Sequence, residues 1–134
     1  MILGLFINTL AAVVLIAASF DQDKTSPAHS ALGRDWRLVE LRGVPFEGHA
    51  TLMFAQSGNI TGAGPCNRFT TKNIAPYPRF DVGQIAATRR ACPDLMDEAT
   101  FFAALEAATA AGIENDTMIL SGAAGILLVF KAAD

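Results

Sequence analysis

Residues 51–72, TLMFAQSGNITGAGPCNRFTTK, decide the fold class. Apolar and polar residues alternate at the start of this stretch, over residues 51–55, and a serine–glycine pair then supplies a turn. Residues 59–63 and 68–72 are two further, weaker strand candidates, on either side of a glycine-rich break. The stretch therefore predicts short strands rather than a helix.

The same two-residue period extends to both sides of this stretch. Residues 36–41, WRLVEL, predict a strand before it, and residues 80–87 predict one after a Pro-Tyr-Pro sequence. Residues 118–121 and 125–132 flank a short turn that contains glycine and predict a hairpin. We expect about seven short antiparallel strands.

One segment has a different period. Residues 93–111, PDLMDEATFFAALEAATAA, are rich in strong helix formers and place Asp94 and Asp97 in the first turn, where the helix dipole favours negative charge. Gly112 is expected to end the helix. Apolar residues fall on two adjacent stripes that form one face for packing on the sheet: Leu95, Ala99 and Phe102, and Phe101, Leu105 and Ala108.

Size and charge exclude several classes of protein. The chain has 134 residues and a mass of 14.1 kDa, enough for one domain. Ten Lys and Arg against thirteen Asp and Glu give a net charge of −3, which argues against a dedicated nucleic-acid binder. The mean hydropathy of +0.34 is high because residues 1–20 are apolar and carry no charged side chain.

Residues 1–19 predict a signal peptide. Residues 10–18 fit its hydrophobic centre, and Ala17 and Ser19 are small residues at the two positions that signal peptidase inspects. No Lys or Arg precedes the apolar stretch, so an uncleaved anchor in the inner membrane is the alternative, and about 20 apolar residues suffice for one. We expect the chain in the periplasm, or anchored to the inner membrane and facing the periplasm.

The rest of the chain divides into two parts. Residues 20–33 are largely polar and predict a short tether. Residues 34–134 then form the folded domain. No cysteine lies directly after the apolar stretch, which argues against a lipid-modified N-terminal cysteine.

Cys66 and Cys92 are the only cysteines. An even number of cysteines in an exported chain indicates a disulfide, which the chain-entropy model values at about 3.5 kcal/mol for this loop length. Three alternatives stay open from the residues alone. They are a zinc site, a redox-active pair activated by the neighbouring Arg89 and Arg90, and two buried reduced thiols.

Residues 62–69 are GAGPCNRF and residues 87–92 are ATRRAC. Together they resemble the paired motif of the META domain (HslJ-like) family, in which Gly-x-x-x-Cys-Asn-Arg-Phe is followed further along the chain by Thr-Arg-Met-x-Cys. The strand at 36–41, the helix motif Glu98-x-x-Phe101-x-x-x-Leu105 and the last hairpin match in the same order, so the similarity covers residues 34–132. This chain has Pro65 where many members have glycine, and it lacks the glycine that usually follows the first motif.

The resemblance implies a mostly β (α+β) fold, a small incomplete antiparallel barrel with one helix packed on it. It also implies a bacterial envelope protein linked to heat shock and stress tolerance, and it does not imply an enzyme. Many members are lipoproteins, but this chain has no cysteine directly after its apolar stretch.

The residues themselves give no catalytic constellation. His29 lies in the predicted tether and His49 in a predicted turn, so neither is placed to serve a nucleophile. Asp97 and Glu98 are adjacent on the predicted helix and do not face each other. No glycine-rich phosphate loop precedes a helix. We expect no catalytic residue, no metal and no cofactor.

Charge is unevenly distributed along the chain. Residues 66–90 have five cationic side chains against one acid, whereas residues 91–134 have one cation against seven acids. If the disulfide forms, it gathers a basic rim that could contact an anionic envelope component or a partner protein: Asn67, Arg68, Arg89 and Arg90. The alternatives are a solvated face, arginines held in salt bridges by the acidic half, and an Asn67 that satisfies backbone groups in the turn.

The leading hypothesis is a monomeric, non-catalytic envelope domain that binds an unidentified partner. One alternative is a thiol-redox protein that uses Cys66 and Cys92. Another is a barrel that holds a small apolar ligand, lined by Phe54, Phe69, Phe80, Leu38 and Leu128, although small barrels usually fill their interior with side chains.

Overall fold

The computed structural model describes residues 31–133, which form a nine-stranded antiparallel sheet and helix α1 (Leu95–Ala107). The helix follows the sixth strand in the chain and precedes the seventh. The strands are β1 (Trp36–Leu41), β2 (Val44–Pro45), β3 (Thr51–Phe54), β4 (Asn59–Ala63), β5 (Arg68–Lys72), β6 (Ala86–Ala87), β7 (Ala110–Glu114), β8 (Thr117–Gly122) and β9 (Gly125–Ala132).

The strands follow the order β6-β5-β4-β3-β1-β9-β8-β7, and β2 pairs with β1 off this path. The sheet is not closed, and β6 and β7 are its edges. A segment before β6 partly spans the opening, since the Phe80 N–H donates to the Thr109 carbonyl at 2.9 Å and the Ala111 N–H donates to the Pro78 carbonyl at 2.8 Å. The predicted incomplete barrel with one helix is confirmed.

Strand alternation places the core inside the barrel. In β5, Phe69 and Thr71 are buried while their neighbours along the strand are exposed. Phe101 and Leu105 of α1 add to the same core. The side chains that would line an apolar ligand site also belong to it: Leu38, Phe69, Phe80 and Leu128 are buried, and Phe54 is partly buried and packs against them.

The helix is shorter than predicted. It ends at Ala107, Ala108 is extended with a ψ of 136°, and residues 110–114 form β7 with five register pairs to β8. Gly112 therefore lies within a strand and does not end the helix. Alanine favours a helix more than most other residues do, but by only a few tenths of a kcal/mol per residue. Pairing with a neighbouring strand is enough to override a preference of that size.

Two other differences concern the strands. Of the strand predicted at residues 80–87, only β6 is a strand, and Val82 makes an isolated bridge to Asn73. The two-residue strand β2 and the strand β7 were not predicted, which raises the expected seven strands to nine in the described part of the chain.

Residues 31–33, assigned to the tether by composition, lie against the sheet. Ala31 is buried, and its carbonyl accepts a hydrogen bond from the Trp36 indole at 3.2 Å. The Gly33 N–H donates to the Phe54 carbonyl at 3.0 Å. The predicted signal peptide, or anchor, and the first part of the tether lie outside the described residues. Within residues 31–133, no helix has both the length and the hydropathy needed to span a bilayer.

Candidate functional site

The two motif stretches meet at one end of the barrel. Cys66, in the turn between β4 and β5, forms a disulfide with Cys92, in the segment between β6 and α1. Their Cα atoms are 5.7 Å apart, within the usual range for a disulfide. The predicted pairing is confirmed, and neither cysteine is free.

Asn67 joins the same two segments through its side chain. Its amide nitrogen donates to the Arg90 carbonyl at 3.1 Å and to Glu98 Oε1 at 2.6 Å. Its amide oxygen accepts from the Arg90 N–H at 2.6 Å and from the Thr88 hydroxyl at 3.0 Å. Both amide N–H groups and the oxygen are therefore fully used within the protein.

Glu98 holds the turn from the helix side, and only 4% of its surface is exposed. Its Oε2 accepts hydrogen bonds from the backbone N–H groups of Cys66 at 2.8 Å and Asn67 at 2.7 Å. With the Asn67 amide on Oε1, three donors surround this carboxylate. Charge-assisted hydrogen bonds of this kind are about twice as strong as neutral ones.

Gly64 makes room for this carboxylate. A Cβ on Gly64 would lie 2.6 Å from Glu98 Oε2, closer than a carbon atom can approach that oxygen. The Gly64 N–H also donates to the Asn67 carbonyl at 2.7 Å, which closes the turn. Glycine is needed here for the close approach of the helix side chain rather than for an unusual φ.

The predicted basic rim is only partly at the surface. Arg68, Arg89 and Arg90 are exposed, and none of them has a carboxylate within 4.0 Å in the described part of the chain. Asn67 is 5% exposed and lies beneath them, because its amide is occupied by the opposite segment. Its side chain therefore satisfies backbone groups, as the alternative role predicted, but they are those of Arg90 in the opposite segment rather than those of its own turn. We call the three exposed arginines, Arg68, Arg89 and Arg90, the rim.

Sequence reasoning did not identify Glu98 as part of this site. It placed Leu95 and Ala99 on the packing face of the helix, yet both are exposed. The buried face of α1 has Glu98, Phe101, Ala104 and Leu105. The available signal was the spacing of Glu98 from Phe101 and Leu105, three and seven residues, which places all three on one helix face.

The chemical feature that this site exposes is positive charge, carried by three arginines on a backbone that the disulfide and the Asn67 hydrogen bonds hold in place. Within residues 31–133, no group of three or more His, Cys, Asp or Glu side chains is arranged to hold a metal ion. His49 is exposed, and His29 lies outside the described residues. Arginines on a braced turn are suited to pairing with carboxylate, phosphate or sulfate groups, which accept their planar fork of N–H donors.

Comparisons with known proteins agree with this fold. The family model described as "META domain" matches residues 29–134. An NMR structure of a protein from Burkholderia xenovorans is similar, with a TM-score of 0.64 and 23% identity over 80% of this chain and 88% of its own. A second NMR structure has a TM-score of 0.63 and 22% identity over 81% of this chain and 96% of its own. At these identities the likeness shows the fold alone. The comparison with curated proteins gives no match.

Proposed function

The chain belongs to the META domain family, and from that premise we propose that it is a non-catalytic domain of the bacterial envelope. It supports stress tolerance by binding an envelope component or a partner protein through the rim. It acts as a monomer in the periplasm, either freed from its leader or tethered to the inner membrane by it.

The observation that supports binding is the bracing of the rim. Arg68 directly follows Asn67, and Arg89 and Arg90 lie between Thr88 and Cys92, so the disulfide and the Asn67–Glu98 hydrogen bonds fix the backbone on both sides. A surface that is ordered before its partner arrives loses less conformational entropy on binding. The three arginines on this ordered backbone are exposed, and none is paired with a carboxylate among residues 31–133. This combination favours a recognition surface.

The disulfide supports the proposed location. Structural disulfides form and persist in oxidising compartments such as the periplasm, and are rare in the reducing cytosol. The location is tested by expressing the full chain in a bacterium, alkylating free thiols before lysis and measuring the intact mass. We expect an unalkylated chain without its leader. A full-length, unalkylated chain indicates the tethered form, and alkylation of both cysteines contradicts export.

The rim is tested by its effect on survival. In a bacterium that lacks its own copy of the protein, the double variant Arg89→Ala, Arg90→Ala should lose the protection against heat that the wild-type chain gives. A matched double variant, Arg37→Ala with Arg79→Ala, removes two exposed arginines elsewhere on the surface and should keep that protection. Equal protection by both variants would contradict a role for the rim.

A further inference from the structure

The outer face of strands β4, β5 and β6 contains no acidic side chain. Burial alternates along β4 and β5, with Ile60 and Phe69 pointing inward, so the register pairs between them define the outward set. We call the outward set the acid-free face: Asn59, Thr61 and Ala63 of β4, Arg68, Thr70 and Lys72 of β5, and Ala86 of β6.

Two cations stand on this face. Arg68 and Lys72 lie four residues apart on β5, which places their Cα atoms about 13 Å apart, with Thr70 between them. Both are exposed, and neither has a carboxylate within 4.0 Å among residues 31–133. Arg68 is also part of the rim, so Arg89 and Arg90 continue the positive charge beyond the end of the strand.

The chain as a whole is negative, with a net charge of −3. A uniformly distributed charge of that sign would repel an anionic partner. Positive charge collected on one acid-free face instead directs such a partner to that face and away from the rest of the surface.

Neutral polar groups lie between the cations. Thr61 and Thr70 are directly opposite each other, and Asn59 is opposite Lys72. Gln84 is exposed at the border of the same face and lines a shallow depression there with Thr61 and Thr70. None of these hydroxyl and amide groups has a hydrogen-bond partner within the described residues, so all of them are free to bond the hydroxyl groups of a ligand.

Large apolar side chains are almost absent from the acid-free face. Met53 on the neighbouring strand β3 borders it and is 36% exposed. Other large apolar residues are more exposed: Ile74 follows Lys72 by two residues in the chain, and Val44, Leu95, Met96 and Ile126 lie outside the strands of this face. Proteins that bind a bilayer surface usually insert apolar side chains beside their cations, so this face is better suited to a hydrated polymer.

From these features we propose that the acid-free face binds an anionic polysaccharide, whose acidic groups pair with Arg68 and Lys72 and whose hydroxyl groups bond the threonine and amide side chains. This inference rests on the proposed function and gives the chemistry of its partner. An extended polymer also fits the geometry, since the cations form a line along β5 and on toward the rim rather than a single pocket.

The test uses the purified full chain and two polymers with the same glucan backbone, dextran sulfate and neutral dextran. We expect binding to dextran sulfate that weakens as salt is added, and no binding to neutral dextran. The double variant Arg68→Ala, Lys72→Ala should weaken the affinity for dextran sulfate about tenfold, since two paired cations are lost. The control, Arg79→Ala with Lys131→Ala, removes the same charge outside strands β4, β5 and β6 and should change the affinity less than about twofold.

Any of the following results would overturn the proposal. One is equal weakening by the face variant and the control, which would mean that only net charge matters. Another is equal binding of both dextrans. The third is tighter binding to phosphatidylglycerol vesicles than to dextran sulfate, which would assign the face to a lipid surface.

Circular dichroism of each variant checks that the fold is intact. If dextran sulfate is not bound but the rim variant still loses heat protection, the proposed function stands and only this inference fails.

Discussion

At Glu98 a carboxylate is buried without a basic side chain within 4.0 Å in the described part of the molecule. Two backbone N–H groups and the Asn67 amide surround it instead. A buried carboxylate is tolerated when hydrogen-bond donors replace the water that it has lost. If the carboxylate is removed, those buried donors are left without a partner, and the fold loses stability. Glu98 and the turn it holds therefore depend on each other.

Replacing this carboxylate tests that dependence. Glu98→Gln keeps the shape of the side chain but replaces one carboxylate oxygen with an NH₂ group. In one orientation that group faces the backbone N–H donors of Cys66 and Asn67. In the other it faces the Asn67 amide nitrogen, and the hydrogen bond to Asn67 is lost. We expect the free energy of unfolding to fall by about 2–3 kcal/mol, measured by urea denaturation. Glu106→Gln, an exposed change on the same helix, should stay within about 0.5 kcal/mol of the wild type. Equal effects of the two changes would contradict the structural role of Glu98.

Gly64 allows a second test at the same scale. Gly64→Ala would push a methyl group against Glu98 Oε2 and should lower the unfolding free energy by about 1–3 kcal/mol. A methyl group on Gly112 would meet no atom within 4 Å, and the φ of Gly112 is not positive, so Gly112→Ala should raise the same quantity by about 0.5 kcal/mol. Thermal or urea unfolding of the pair checks the difference, and a stabilising Gly64→Ala would be the contrary result.

The elements differ in how far the sequence alone predicts them. The bounds of β1, β4, β5 and β9 match the prediction, and β5 alternates strictly between exposed and buried residues. Residues 110–114 were mistaken in part for helix, because their strand state depends on pairing with β8, which local composition does not reveal. The helix spacing of Glu98 indicates that it is buried but not what it bonds, since the turn that it holds lies 31 and 32 residues away in the chain. The cysteine pair was predictable from the even count, whereas charge predicted a basic cluster but not whether its arginines are exposed or held in salt bridges.

The disulfide connects two elements that the Asn67 hydrogen bonds already join, the β4–β5 turn and the segment before α1. Cys66→Ser and Cys92→Ser should each lower the unfolding free energy by about 2–5 kcal/mol, as breaking one cross-link does. The double variant should lose no more than either single variant, because both changes remove the same bond.

Denaturation of the three cysteine variants in parallel gives the answer. Additive losses would mean that each cysteine stabilises the fold separately, and the cross-link would not be the source of the effect. Titration of the wild type with glutathione addresses the thiol-redox alternative. A structural bond should resist reduction, and a bond that opens readily in that buffer would favour the redox function.

On the scale of the whole molecule, the opening of the incomplete barrel is partly spanned by a segment rather than by a strand. Phe80 lies on that segment and points into the core, while its backbone bonds to Thr109 beside β7. Phe80→Ala should lower the unfolding free energy by about 3–5 kcal/mol.

The control for that prediction lies in the same connection. Ile74 is exposed, so Ile74→Ala should change the unfolding free energy by less than about 0.5 kcal/mol. Calorimetry of both variants tests the contrast, and a near-neutral Phe80→Ala would mean that the Phe80 side chain does not anchor this segment in the core. Because the interior is filled by side chains, we also expect no rise in melting temperature when apolar ligands are added to the wild type.

Trp36 is the only tryptophan in the chain, and its buried indole bonds to Ala31 while the Arg34 guanidinium lies 5.2 Å from the ring centroid. The molecule thus has a built-in optical reporter at the point where the N-terminal segment enters the domain. Ultraviolet excitation yields emission from one indole in one environment, so the spectrum needs no deconvolution. Detachment of residues 31–33 would hydrate that ring and shift its emission to longer wavelength, even in molecules whose barrel remains intact.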